Sequence, residues 1–163
     1  MDWSGNFVLF DNSDKKGENI FHCLCCDESD DSLQTMQMLV KKVNSYLLQQ
    51  YNSCGQQCVH IVANRVTPEA QRKFEFLIRW GADINSQDKC LGDTPLHIAA
   101  LTKNYRLANW ICQQPGTALD VCNFDQKTPW RIAYELKDRI MMWLLQVYGA
   151  QCEVSDVEVD NKI

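Results

Sequence analysis

Apolar residues recur along this chain in steps of three and four, the spacing of a single helical face, in four separate places. Leu33, Met36, Val40, Val43 and Leu47 predict one long helix, and Phe74, Leu77 and Ile78 predict a second that opens at Thr67-Pro68-Glu69. Leu107, Ala108 and Ile111 mark a third over about 105–113, and Ile140, Met141, Leu144, Leu145 and Tyr148 mark a fourth over about 138–147. Ahead of each lies a shorter apolar run introduced by a turn residue and a polar cap. These runs begin at Gly17, Gly55, Gly92 and Gln126, at intervals of 38, 37 and 34 residues. A short helix followed by a longer one, four times over, predicts an all-α chain of about four stacked helix-turn-helix units. That number exceeds the three or so that a repeat array needs for stability.

The clearest of the short runs is Gly92-Asp93-Thr94-Pro95-Leu96-His97-Ile98-Ala99-Ala100. The Thr94 hydroxyl is placed to accept from an N–H that the first helical turn leaves unpaired, and Pro95 falls where its missing N–H costs nothing. Gln126-Lys127-Thr128-Pro129-Trp130-Arg131 repeats it, while Gly17 to Leu24 and Gly55 to Ala63 repeat it more loosely, with Asn19 and Gln57 in the cap slot. Written G-x-T-P-L-H-x-A-A, the run resembles the ankyrin repeat signature. Gly81-Ala82-Asp83-Ile84-Asn85 and Ala118-Leu119-Asp120-Val121-Cys122-Asn123 are similar to the segment by which an ankyrin helix pair is left. Gly81 is placed for the left-handed conformation that closes a helix. The resulting division is a leader at 1–16, a repeat domain at 17–150 with units of about 17–54, 55–91, 92–125 and 126–150, and an acidic tail at 151–163.

Length and composition fit this picture, since 163 residues that are 45% hydrophobic can bury a single-domain core. No run reaches the roughly 18 apolar residues of a membrane helix, and the first ten residues carry Asp2 without Lys or Arg. An intracellular protein is expected on those grounds. The net charge of −5 argues against nucleic acid as a partner. Nine cysteines in such a chain are expected to be reduced thiols used as small apolar side chains.

No residue set predicts chemistry. His22, His60 and His97 are the only histidines, and they occupy one slot of successive units. That makes them scaffold ties between turns, because a catalytic base belongs to one constellation. The run His22-Cys23-Leu24-Cys25-Cys26 has ligand residues, but at helical steps of one and two they point in different directions, and no second ligand pair follows at zinc-site spacing. Asp30-Asp31 is read as part of a solvated acidic loop in which nothing separates two carboxyl pKa values. Neither metal nor cofactor is expected.

The tips between units carry the candidate binding residues. Gln87-Asp88-Lys89-Cys90-Leu91 makes a lengthened tip, and Asn123-Phe124-Asp125-Gln126 puts an aromatic at the next. Aromatics are common interface anchors, so Asp88, Lys89, Leu91, Phe124, Gln126 and Trp130 are the expected partner contacts. Packing of Phe124 against Trp130 is the alternative use of the two rings. Gly17, His22, Gly55, His60, Gly92, Thr94, Pro95, Leu96, His97, Thr128 and Pro129 are assigned to the repeat scaffold.

From Asn85 to His97 the chain is similar to the inhibitor of kappa-B family, with its N-x-Q-x-x-C-x-G-x-[ST]-x-L-H segment. About four degenerate repeats with little on either side resemble the vankyrin type, the kappa-B-inhibitor-like ankyrin proteins of polydnaviruses. The resemblance covers roughly residues 17–150. It implies a non-enzymatic inhibitor that grips the Rel homology domains of host NF-kappa-B factors of the Dorsal or Relish kind, blocking immune signalling. It also implies action in the host cell cytoplasm, with the nucleus as a second site. Release of cellular family members uses a D-S-G-x-x-S segment, and none occurs here: Ser4-Gly5 follows Trp3, and Asp31-Ser32 is followed by Leu33. An ankyrin adaptor for an unrelated host protein is the alternative reading.

Overall fold

Helix starts in this chain are fixed by single side chains. In the computed structural model, which describes residues 17–41 and 45–152, the side chains of Asn19, Thr94 and Thr128 accept from first-turn N–H groups of α1 (Ile20–Cys26), α5 (Pro95–Leu101) and α7 (Pro129–Glu135). Thr67, Asn104 and Asp138 do the same for α4 (Pro68–Arg79), α6 (Tyr105–Cys112) and α8 (Arg139–Val147). Helices α2 (Asp30–Val40) and α3 (Cys58–Ala63) complete the set, and there is no strand among the described residues.

Each short helix packs against the longer one that follows it, giving the pairs α1/α2, α3/α4, α5/α6 and α7/α8. The short helices stack α1 on α3 on α5 on α7, and α2 meets α4 as α6 meets α8. One core runs the length of the stack through Phe21, Met36, Val59, Phe74, Leu77, Leu96, Leu107, Ile111, Met141 and Leu145, all at most 1% exposed. Phe74 meets Trp110 edge to face with ring centroids 5.8 Å apart, joining α4 to α6. The architecture is an all-α solenoid of four helix pairs.

The first unit departs from expectation. Its second helix ends at Val40, and after residues 42–44, which include Val43 and lie outside the described residues, the chain forms a 3₁₀ turn at Ser45–Gln49. Leu47 and Leu48 are buried from that turn, so Met36, Val40 and Leu47 are buried as the apolar spacing predicts, but not from one continuous helix. Asp30 and Asp31 are the first turn of α2 and not a loop. In the second unit Lys73 is buried and its Nζ donates to Leu24 O at 2.9 Å and to Asp27 O. An ammonium thereby covers carbonyls that the end of α1 leaves unpaired. In the fourth, Ile140 faces solvent instead of the core. The leader 1–16 and residues 153–163 of the acidic tail lie outside the described residues.

The turn slots also repeat. Gly55 and Gly92 have φ of +70° and +71°, and Gln126, in the equivalent slot, has φ of +59°. A side chain in that left-handed region costs about 1 kcal/mol, so Gln126→Gly is expected to stabilise the protein by about 0.5–1 kcal/mol after the added freedom of the unfolded glycine is counted. A higher urea midpoint at unchanged m-value checks this.

Candidate partner-binding surface

The three imidazoles make one ladder. In each, Nδ1 accepts from the N–H of its own cap residue at 3.1 Å: Asn19 to His22, Gln57 to His60 and Thr94 to His97. That leaves the proton on Nε2, which donates to the next tip: to Gln50 O at 3.2 Å, Ser86 O at 2.9 Å and Lys127 O at 2.9 Å. They converge on no common cleft. Arg131, in the fourth unit's slot, turns outward to Glu135 and over the Tyr134 ring.

Burial pushes all three histidines below the ordinary imidazole range, with hydrogen bonding to backbone only partly opposing it. The fold holds them neutral, so the unfolded chain binds their protons more readily. Their contribution is complete above about pH 6.5 and is lost as pH falls below that value toward the folded-state pKa values. The loss is up to about 1.4 kcal/mol per pH unit for each imidazole. Urea midpoints are expected to fall as pH drops below about 6.5, and His→Ala variants are expected to show a shallower fall.

Each tip is built around one Asn or Asp whose carbonyl or carboxylate oxygen gathers N–H groups. Asn52 Oδ1 accepts from Cys54 and Gln56, Asp88 Oδ1 from Cys90, Leu91 and Gly92, and Asn123 Oδ1 from Asp125 and Lys127. The tips then join through main-chain bonds, Lys89 N to Gly55 O at 2.9 Å and Phe124 N to Leu91 O at 2.8 Å, with Gln87 Nε2 to Cys122 O at 3.0 Å as a side-chain link beside them. The middle tip closes from Asp88 to Asp93, whereas its neighbours close from Asn52 to Gln56 and from Asn123 to Lys127. It is longer than either neighbour by one residue.

This geometry sorts the six residues expected to meet a partner. Leu91 and Phe124 are 53% and 60% exposed. Lys89 stands at the surface with its ammonium 4.2 Å from the Tyr51 ring centre, and Gln126 is exposed. Asp88 is the correction: it is buried and spent on its own tip. Trp130 is the other, only 3% exposed and stacked on Tyr134 at 5.5 Å, because its slot is that of Leu96 in the core. The Phe124 ring lies instead against Gly92, where an added Cβ would come within 2.5 Å of it.

Stacking of units three and four creates a feature that no local run announces. A groove of about 190 Å³ is lined by Leu91, Leu101, Ile132 and Leu136, with Asp93, Asn123, Asp125, Lys127 and Glu135 around it. Asp93 accepts from Asn123 Nδ2 at 2.8 Å, and Lys127 pairs with Glu135 at 2.6 Å, each holding the other's charge in place. An apolar floor with a polar, mostly acidic rim is suited to an apolar side chain delivered from a basic surface. No grouping of three or more His, Cys, Asp or Glu able to hold a metal occurs among the described residues. The cysteine run divides, with Cys25 buried against Cys58 while Cys23 and Cys26 face solvent.

Stacked, histidine-tied helix pairs with exposed tips and a groove between them define a repeat protein of the protein-interaction kind. A model of the ankyrin repeat family matches residues 91–124. The chain is 43% identical over 143 residues to I-Kappa-B like protein I1 of Microplitis demolitor bracovirus (isolate Webb), and equally so to I-Kappa-B like protein F2 of that virus. Each match spans 88% of this chain and 86% of the relative. Identity to I-Kappa-B like protein C2 is 45% over 139 residues, 85% of this chain and 77% of the relative. The chain belongs to the bracovirus I-kappa-B-like family of ankyrin repeat proteins.

Proposed function

We propose that this protein is a non-enzymatic inhibitor that captures host NF-kappa-B/Rel factors and so blocks host immune signalling. The observation that carries this reading is the groove of units three and four, with exposed Leu91 and Phe124 beside it. Tips and groove offer apolar anchors on a chain of net charge −5, which complements the basic surface with which a DNA-binding factor reads its site. Occupying that surface inhibits by exclusion and asks no chemistry of the inhibitor.

The sequence holds no D-S-G-x-x-S segment, so the captured factor is not freed by the signal that destroys cellular inhibitors. The site of action on this reading is the host cell cytoplasm, extending to the nucleus. Co-purification from insect cells with each host Rel homology domain protein tests the binding. A pulse-chase in stimulated cells tests retention: the protein is expected to persist, and rapid signal-dependent loss would overturn that part.

A further inference from the structure

The internal repeat shows which surface of a unit receives its successor. In unit three, Asn109 of α6 and Gln113, which caps its C-terminal end, reach unit four, Asn109 Oδ1 accepting from the Tyr148 hydroxyl at 2.9 Å and Gln113 Nε2 donating to it at 3.0 Å. Ala100 of α5 is fully buried in the stack. Units three and four superpose in sequence at a shift of 34, Thr94 onto Thr128 and Asn104 onto Asp138. The same shift carries Ala100, Asn109 and Gln113 onto Tyr134, Trp143 and Val147.

In unit four those positions are open, at 42%, 66% and 59% exposure, and Ile140, one turn before Trp143, adds 60%. The joint between units three and four is made with amides, whereas the corresponding positions of unit four hold an exposed tryptophan and valine. We infer that the end face of unit four, centred on Trp143 and Val147, pairs with the same face of a second copy of this chain.

Three observations favour a second copy meeting it face to face. First, α8 carries no carboxylate, and its only charge is Arg139 at the outset, so two chains of net charge −5 meet here without opposing acids. Second, Glu135, the carboxylate of α7, is already paired with both Lys127 and Arg131, so closure over Tyr134 buries no unpaired acid there. Third, the exposed parts of Tyr134, Ile140, Trp143 and Val147 come to about 450 Å² per chain, so twofold contact covers about 900 Å² before its polar rim, near the roughly 1,000 Å² of a specific interface. A twofold contact also closes on itself, whereas stacking this face on the first unit of another copy would continue without end.

Sedimentation equilibrium of the full chain from about 1 to 200 μM tests this. The average mass is expected to climb toward twice the chain mass and stop there. Trp143→Arg with Val147→Glu is expected to keep it at one chain mass throughout, with unchanged helical circular dichroism, since both side chains stand outside the core. A monomer at every concentration would overturn the proposal, as would a dimer that survives the double substitution. Growth beyond the dimer would replace the twofold contact by head-to-tail stacking and overturn it too.

Discussion

Replacing His97 by alanine is expected to lower stability by about 3–5 kcal/mol, the largest effect of any single change at a repeat-motif position. The imidazole is fully buried and serves two main-chain groups, one of which, the Thr94 N–H, depends on it. Its Nδ1 takes the Thr94 N–H and its Nε2 feeds Lys127 O in the following tip. Truncation orphans the Thr94 N–H, at about 1–3 kcal/mol when it stays buried, takes one of two donors from Lys127 O and leaves a cavity between units three and four. Against a total of about two or three times that size for an ordinary domain, a third to a half of the margin is consumed. Urea denaturation read as a midpoint shift checks it. Arg131→Ala is the internal control: it sits in the same slot but is half-exposed and ties no later turn, so a loss under about 1 kcal/mol is expected.

Leu91→Asp combined with Phe124→Asp is expected to abolish capture of a Rel factor, lowering the amount co-purified at least tenfold, while the helical circular dichroism stays as it is. The two side chains are among the most exposed apolar groups at the tips, and removing such anchors from the centre of an interface commonly costs about 2 kcal/mol or more apiece. The new carboxylates also add repulsion within an already acidic rim of Asp125 and Glu135. Fold integrity is protected because the tips are joined by main-chain bonds from Lys89 and Phe124 that no side chain supplies. Undiminished capture would move the interface away from this groove.

Much of the scaffold is legible in the amino-acid order because capping is a local affair. Thr94-Pro95, Thr128-Pro129 and Thr67-Pro68 each start a helix where their chemistry says one should start. The overlong second helix shows what periodicity cannot see. Leu47 is buried, as its spacing from Val40 demands, but from a 3₁₀ turn, since a buried position on a bent chain can keep step with a helical repeat. Asp88 and Trp130 were readable in principle: the first stands where Asn52 and Asn123 organise their tips, the second where Leu96 fills the core. The groove was not, because Leu91, Leu101, Ile132 and Leu136 are distant along the chain and become neighbours only when two units stack. The exposed Trp143 and Val147 were hidden for a similar reason, since an apolar position at helical spacing does not say whether another unit covers it.

The main-chain bonds from Lys89 to Gly55 and from Phe124 to Leu91 have a consequence for how such a molecule changes over generations. Any amino acid other than proline brings the same amide, so substitutions at these outward positions are almost invisible to the architecture beneath. A duplicated copy can alter its quarry by swapping two or three protruding groups and keep its folding intact. Diversification of targets is therefore cheap at these two positions, while Asn52, Asp88 and Asn123, whose side chains hold the loops together, keep the fingertips in shape.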